Sequence, residues 1–285
     1  MRIAVVGAGG QLGAAVIHEC SAAHEVIALG RADLDVTDDE AVRAAMARAR
    51  PDAIVNGAAY NNVDAAEDHP IDALTINAFA VRALARAAEA HRAVLVHYGS
   101  DFVFDGQASA PYTEDDRPNP RSVYAASKLL GEWFAADAPR AYVLRVESLF
   151  GGAPGGPPPK GSVAHIVTTI RAGGEARVFE DRTVSPTYIP DAARATRALL
   201  ERNVPPGLYH CVNAGSCTWL ELARELARQL GMEATARLVP VRLAEVPMRA
   251  GRPRYCALSN DKLASAGVIM PTWQDAIGRY VSSLG

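Results

Sequence analysis

The sequence predicts an α/β fold: a doubly wound parallel sheet with a smaller C-terminal α/β lobe. Three observations predict it. Short runs rich in Val and Ile alternate with Ala-rich stretches of helical period over the first 150 residues. The first run breaks into a glycine-rich turn, GAGGQLG at 7–13, that opens a helix. At 151–161 the alternation stops in GGAPGGPPPKG, which cannot hold regular structure, and it resumes beyond in shorter pieces.

Each element has its own reason. Arg2–Val6 is apolar and β-branched, a strand, and Gln11–Cys20 reads as the helix after it. Glu25–Leu29 predicts a second strand. Residues 38–49 have helical period with acidic residues at their start, which suit the helix dipole, and 51–56 predicts strand three. Residues 71–89 read as one long Ala-rich helix. Residues 93–98 are nearly all apolar, as a strand covered on both faces requires. A helix over 122–135 and a strand at Ala141–Val146 follow. Beyond the Gly/Pro stretch, helices are expected from about Ser162, Asp191 and Thr218 and near Trp273, with strands at 176–179 and 207–212. The Gly/Pro stretch itself reads equally as a flexible lip of a site or as a tolerated insertion.

Bulk properties exclude several classes. Apolar residues are 49% of 285, enough for a sizeable core. The net charge of −3 offers no basic surplus to neutralise nucleic-acid phosphates. No apolar run is long enough to span a membrane, and the first one meets glycines too soon for a signal peptide. Cys20, Cys211, Cys217 and Cys256 form no Cys-x-x-Cys pair and no zinc spacing, so free thiols in a reducing compartment are expected. The expectation is a soluble cytoplasmic protein, a monomer or weak homodimer, with no nucleic-acid, membrane or metal partner.

The turn fits Gly7-x-x-Gly10-x-x-Gly13 rather than G-x-G-x-x-G, because position 12 is leucine. Gly7 allows the tight turn, Gly10 lets the backbone approach a pyrophosphate, and Gly13 permits close helix–strand packing. The helix N-terminus then faces the phosphates. This predicts a Rossmann-type dinucleotide-binding domain over 1–150, with a segment near 185–202 returning to it. A substrate-binding lobe is expected over 151–184 and 203–285. After strand two stands Gly30-Arg31, and an arginine there suits a 2′-phosphate, pointing to NADPH. Asp33 and Asp35 keep NADH open.

Tyr124 and Lys128 are four apart in a helical segment, hence on one face. The chain holds only three lysines, Lys128, Lys160 and Lys262, and takes arginine elsewhere. A free phenol titrates near about 10, and an ammonium beside it is expected to lower that value. The tyrosine can then give a proton to a ketone oxygen as hydride reaches carbon. Ser100 ends the preceding strand, at the carboxyl edge where sites form in such sheets, and its hydroxyl can orient the carbonyl. His97, within that strand, reads as a core histidine.

Together these residues resemble the extended short-chain dehydrogenases, and most closely the dTDP-4-dehydrorhamnose reductase family. The likeness runs through GAGGQLG at 7–13, PDAIVNGAAYNNVDAAE at 51–67, Asn77 of LTINAFA and HYGSDFVFDG at 97–106. It continues through VYAASKLLGE at 123–132, DRTVSPTYIPDAARA at 181–195, GLYHCVNAGSCTW at 207–219 and RPRYCALSNDKL at 252–263. The resemblance implies that NAD(P)H reduces the C4 keto group of a dTDP-activated 6-deoxy-4-keto-hexose, giving dTDP-L-rhamnose. It implies Tyr124 as proton donor, Lys128 as its partner and ribose ligand, and Ser100 as the carbonyl-orienting hydroxyl. Gly7, Gly10, Gln11, Leu12 and Gly13 would line the pyrophosphate, with Ala58, Ala59 and Tyr60 bordering the cofactor. Asp101, Phe102 and Val103 would face the sugar, and Arg252 the substrate diphosphate. Three positions depart from the family's habit: serine at 100 for threonine, Val184 for glycine, and Ala15 where some members carry a glutamate of a metal-linked dimer. Dehydratases of the superfamily follow the hydroxyl residue with Asp-Glu; here Asp101 is followed by Phe102. A nucleotide-sugar 4-epimerase, and an NADP-binding regulatory subunit of a methionine adenosyltransferase, are the alternatives.

Overall fold

A computed structural model describes residues 1–202 and 204–285. At its centre β1 (Arg2–Val6), β2 (Glu25–Leu29), β3 (Ala53–Asn56), β4 (Val94–Ser100) and β5 (Ala141–Val146) form a parallel sheet with a sixth strand, Gly207–His210. The spatial order is β2, β1, β3, β4, β5 and then Gly207–His210, every pair parallel. The chain lays β2 on one side of β1 and β3 on the other. The order therefore reverses at β1, and a crevice opens beyond the carboxyl ends of β1 and β3.

Alternate residues of each strand feed separate cores, which is why the strands are apolar throughout. Ile3, Val5, Val55, Val96 and Leu144 share one core with α1 (Gln11–Cys20) and with Ile189, Ala192 and Leu199 of the helix Ile189–Glu201. Ala4, Val6, Ile54, Leu95 and Val143 share the other with α2 (Asp39–Ala49) and the helix Ala80–His91. A third core belongs to the C-terminal part, where Phe150, Ile166, Trp219, Leu222 and Tyr280 join the helices Ser162–Arg171, Trp219–Gln229 and Trp273–Ser282. No helix among the described residues is long and apolar enough to cross a membrane.

Two elements differ from the sequence expectation. The long helix over 71–89 is interrupted: Pro70–Leu74 is α-helical, Thr75–Phe79 is a π turn, and Ala80–His91 returns to α. Apolar period cannot reveal one inserted residue, and the widened turn has a purpose described below. Second, Arg237–Val241 forms a strand parallel to Glu175–Phe179. No strand was expected there; its Pro240 is tolerated because a two-stranded ladder is all edge.

Candidate active site

The glycine turn is shaped by backbone contact. Gly7 has φ +77°, and a Cβ there would lie 2.6 Å from the Ala58 nitrogen. A Cβ on Gly13 would lie 2.3 Å from the Gly7 carbonyl oxygen. These two positions let the turn after β1 close against the loop after β3. Helix α1 begins at Gly10 with no side-chain cap and no acid in its first turn, so its leading N–H groups are open to an anion. Gly10, Gln11, Leu12, Ala58 and Ala59 wall a cleft of about 510 Å³; Gly7 and Gly13, expected to line it, are not on its wall, their role being the close backbone approach. Gly13→Ala is expected to weaken dinucleotide binding by about tenfold or more, since the overlap must push turn and helix apart. Titration of nicotinamide fluorescence measures this directly.

Arg31 lies just past the end of β2, exposed and outside the walls of this cleft. Asp35 is also outside; its carboxylate accepts from the Thr37 amide and hydroxyl (2.9 and 2.7 Å), which holds it below its ordinary value. Tyr60 does not line the cleft. Its backbone is clamped by Asn77, whose Oδ1 accepts from the Tyr60 amide (2.8 Å) while Nδ2 donates to the Tyr60 carbonyl (3.1 Å) and to Ser127 Oγ (3.0 Å). Asn77 sits in the π turn, which turns this one amide toward the loop and presses its carbonyl on the neighbouring helix. A Cβ on Gly131 would lie 2.0 Å from that carbonyl oxygen.

That neighbour is the helix Val123–Ala136, started by Ser122, whose Oγ accepts from the Ala125 amide. Tyr124 and Lys128, one turn apart on it, both face the cleft with Ser100. Lys128 Nζ donates to the Tyr98 carbonyl (2.6 Å). Burial pulls this ammonium down to about 8, and Glu132 one turn further on works against that. Tyr124 is pushed up to about 12, first by burial and then by the charge of Asp101, with the Ser100 hydroxyl pulling weakly the other way. The expectation that Lys128 lowers the phenol is thus corrected. The ammonium is engaged by a backbone carbonyl, and burial dominates. Tyr124 remains a protonated phenol at neutral pH, the form a proton donor needs.

Asp101 and Phe102 line the cleft, and Phe102 packs on the Tyr124 ring edge to face at 5.5 Å. Val103 does not face it. The side chain is fully buried with Phe104, Leu129 and Val212, because the 3-10 turn after β4 points it inward. Arg252 is likewise placed elsewhere: its guanidinium pairs with Asp64 (2.8 Å), donates to the Ala250 carbonyl (3.1 Å) and lies over the outer face of Phe102 (5.8 Å). It ties the tail to the helix Val63–Asp68. His97 is wholly buried against Asn56 (3.2 Å) and held well below its ordinary value by burial, a core histidine.

Sequence reasoning passed over four residues of the wall or its backing: Lys160, Arg182, Trp219 and Glu147. Lys160 and Gly161 bring the Gly/Pro stretch into the wall, and Gln11 Nε2 ties its start to the glycine turn through the Gly151 carbonyl (2.9 Å). Lysine's scarcity in this chain was the available signal for Lys160. Arg182 is buried, donates to the Pro253 carbonyl (3.2 Å) and lies 5.6 Å from the Phe102 ring centre. Trp219 lines the cleft, and its indole N–H is buried without a partner. Nothing in the sequence distinguished it from a core tryptophan.

The chain matches a family model described as RmlD substrate binding domain over residues 1–285. It is 37% identical to the dTDP-4-dehydrorhamnose reductase of Streptomyces griseus, over 94% of this chain and 88% of that protein. It is also 37% identical to a Streptomyces antibioticus protein named probable dTDP-4,6-dihydroxy-2-methyloxan-3-one 4-ketoreductase, over 97% and 93% of the two chains. The crystal structure of dTDP-4-dehydrorhamnose reductase from Bacillus anthracis str. Ames in complex with NADP has a TM-score of 0.90 at 30% identity, covering 99% of each chain.

Proposed function

The chain belongs to the RmlD substrate binding domain family, and from that premise we propose that it is an NADPH-dependent reductase of the C4 keto group of a dTDP-activated 6-deoxy-4-keto-hexose, with dTDP-4-dehydro-L-rhamnose the leading substrate. The observation that carries the reading is a buried phenol, kept protonated beside Lys128 and Ser100, on the wall of a cleft whose far end is a glycine-cradled helix N-terminus. That cradle fits a dinucleotide: a Cβ would fill it at Gly7 and Gly13, and the open N–H groups of α1 suit a pyrophosphate. Arg31, beyond β2, supports the 2′-phosphate form, and the NADP bound by the related crystal structure agrees.

When bound, the cofactor supplies hydride. The protein's own part is positional and electrostatic. Lys128, held by the Tyr98 carbonyl, would hold the cofactor ribose, and Ser100 and Tyr124, on the same cleft wall, would meet the substrate carbonyl oxygen. Tyr124 donates its phenolic proton to that oxygen as negative charge develops there. Phe102 and Trp219 offer apolar surface to the sugar, and Arg182 and Lys160 offer the cations.

Following NADPH and NADH oxidation against dTDP-, GDP- and CDP-4-keto-6-deoxy sugars tests this. Stoichiometric oxidation is expected with the dTDP compound, and faster with NADPH. An epimerase would turn over sugar without net oxidation, and no oxidation with any sugar would overturn the reading.

A further inference from the structure

Behind Asp101 lies a second acid that the reduction itself does not use. Glu147 follows β5 and is 1% exposed; Asp101 is 3% exposed. A carboxylate oxygen of each and the Cys256 Sγ all lie within 4.8 Å of one another. Asp101 Oδ2 and Glu147 Oε1 are buried without any hydrogen-bond partner. The other oxygens are engaged: Ser100 Oγ donates to Asp101 Oδ1 (3.1 Å), and the Ser185 amide donates to Glu147 Oε2 (2.6 Å).

The charged and titratable groups around this pair are few. Arg182 is the cation, donating to the Pro253 carbonyl (3.2 Å) and reaching Cys256 Sγ (3.7 Å). Tyr124 faces Asp101, while Tyr255, Cys217 and Cys256 face Glu147. Lys128 is turned to the Tyr98 carbonyl. Two buried carboxylates against one guanidinium leave one negative charge in excess, away from bulk solvent. Retaining one proton removes that excess and satisfies an orphan oxygen. Burial raises both acids; the charge of Asp101 raises Glu147 further, while Arg182 pulls both the other way.

We propose that Asp101 and Glu147 hold one proton between them and return it, through the Ser100 hydroxyl, to Tyr124 after each turnover. This rests on the reductase reading above. As the carbonyl is reduced by the cofactor's hydride, a C4–H bond forms and the Tyr124 O–H bond breaks, its proton going to the carbonyl oxygen. The resulting phenolate takes the Ser100 hydroxyl proton. The acid proton of the pair restores that hydroxyl, and the pair regains a proton from solvent when product leaves the cleft. No oxidant or reductant enters beyond the nicotinamide and the ketone. Glu147 acts through Asp101 and Ser100, as a positioning residue for the proton.

Infrared spectra of the full chain at neutral pH, with neither cofactor nor sugar, test the shared proton independently of what the chain reduces. The wild type is expected to show the carbonyl stretch of a protonated carboxyl. Both Glu147→Gln and Asp101→Asn are expected to lose it, because the remaining acid then faces Arg182 alone and ionises. Absence of the band in the wild type, or its persistence in both variants, overturns the proposal, as does stoichiometric zinc binding that Cys256→Ser abolishes. In turnover, Glu147→Gln is expected to lower kcat about tenfold or more with KM changed less than about twofold. It should also remove the fall in kcat expected of the wild type as pH rises through the titration of the pair. A wild-type kcat and pH profile in Glu147→Gln overturns the relay. Loss of ketoreduction in the wild type itself, with the band present, would count against the reductase reading instead.

Discussion

Tyr124→Phe is expected to lower kcat by about a thousandfold, within the range that removal of a general acid costs, while NADPH affinity stays within about twofold. The substitution removes one oxygen and keeps the ring. The edge-to-face contact with Phe102 at 5.5 Å and the packing against Ala66 and Ala73 survive it, so stability should change little. What is lost is the phenol that shares the cleft wall with Ser100 and Lys128, and that phenol is protonated until well above neutral pH. Single-turnover hydride transfer, read beside a binding titration, separates the two effects. A variant with full rate would mean that the proton comes from another group.

The same site sets an alkaline limit. Lys128 is charged below about 8 and neutral above it. As pH rises through that value the ammonium loses the charge and one of the donors with which it can hold a ribose, long before Tyr124 ionises. In the free enzyme kcat/KM should therefore fall above about pH 8, and the limb belongs to Lys128 rather than to the tyrosine.

The sheet and the cofactor end of the cleft were legible because their causes are local. Two-sided burial forces continuous apolar strands, and a backbone-to-backbone approach at Gly7 and Gly13 forces glycine, so both leave marks in the sequence. Tyr124, Lys128 and Ser100 were legible by helical spacing and by their place after β4. The rest depends on contacts between distant segments. Asn77 looks like an interruption in an apolar helix until the π turn carries it to Tyr60, 17 residues away. Arg252 looks like an anion ligand until Asp64 is found beside it. Glu147 reads as a charge misplaced in a strand end, and only the fold sets it against Asp101. The tyrosine's ionisation shows the same limit. The i, i+4 spacing placed the ammonium nearby, but spacing says nothing about depth, and depth is the larger effect.

Arg145→Ala is expected to destabilise the fold by about 3–5 kcal/mol, the usual consequence of leaving one buried charge without its partner. Arg145 on β5 and Glu132 on the tyrosine helix are 2% and 4% exposed, joined by Nη2 to Oε2 at 2.8 Å and Nε to both oxygens at 3.1 and 3.2 Å. The guanidinium also lies 5.0 Å above the Phe104 ring, and with burial it holds His210 down to about 3, so that histidine is no substitute cation. Gly99 leaves the space: a Cβ there would lie 2.2 Å from Glu132 Oε1. Thermal melts should show a drop of roughly 10 °C. The double variant Arg145→Met with Glu132→Gln should recover much of it, because a neutral pair no longer carries an uncompensated carboxylate. The pair also reaches the chemistry. Glu132 supports the charge on Lys128 one turn away, so Glu132→Gln alone should move the alkaline limb of kcat/KM to lower pH. If Arg145→Ala instead melts like the wild type, water has entered the cluster, and the ion pair is not what fixes the tyrosine helix to β5.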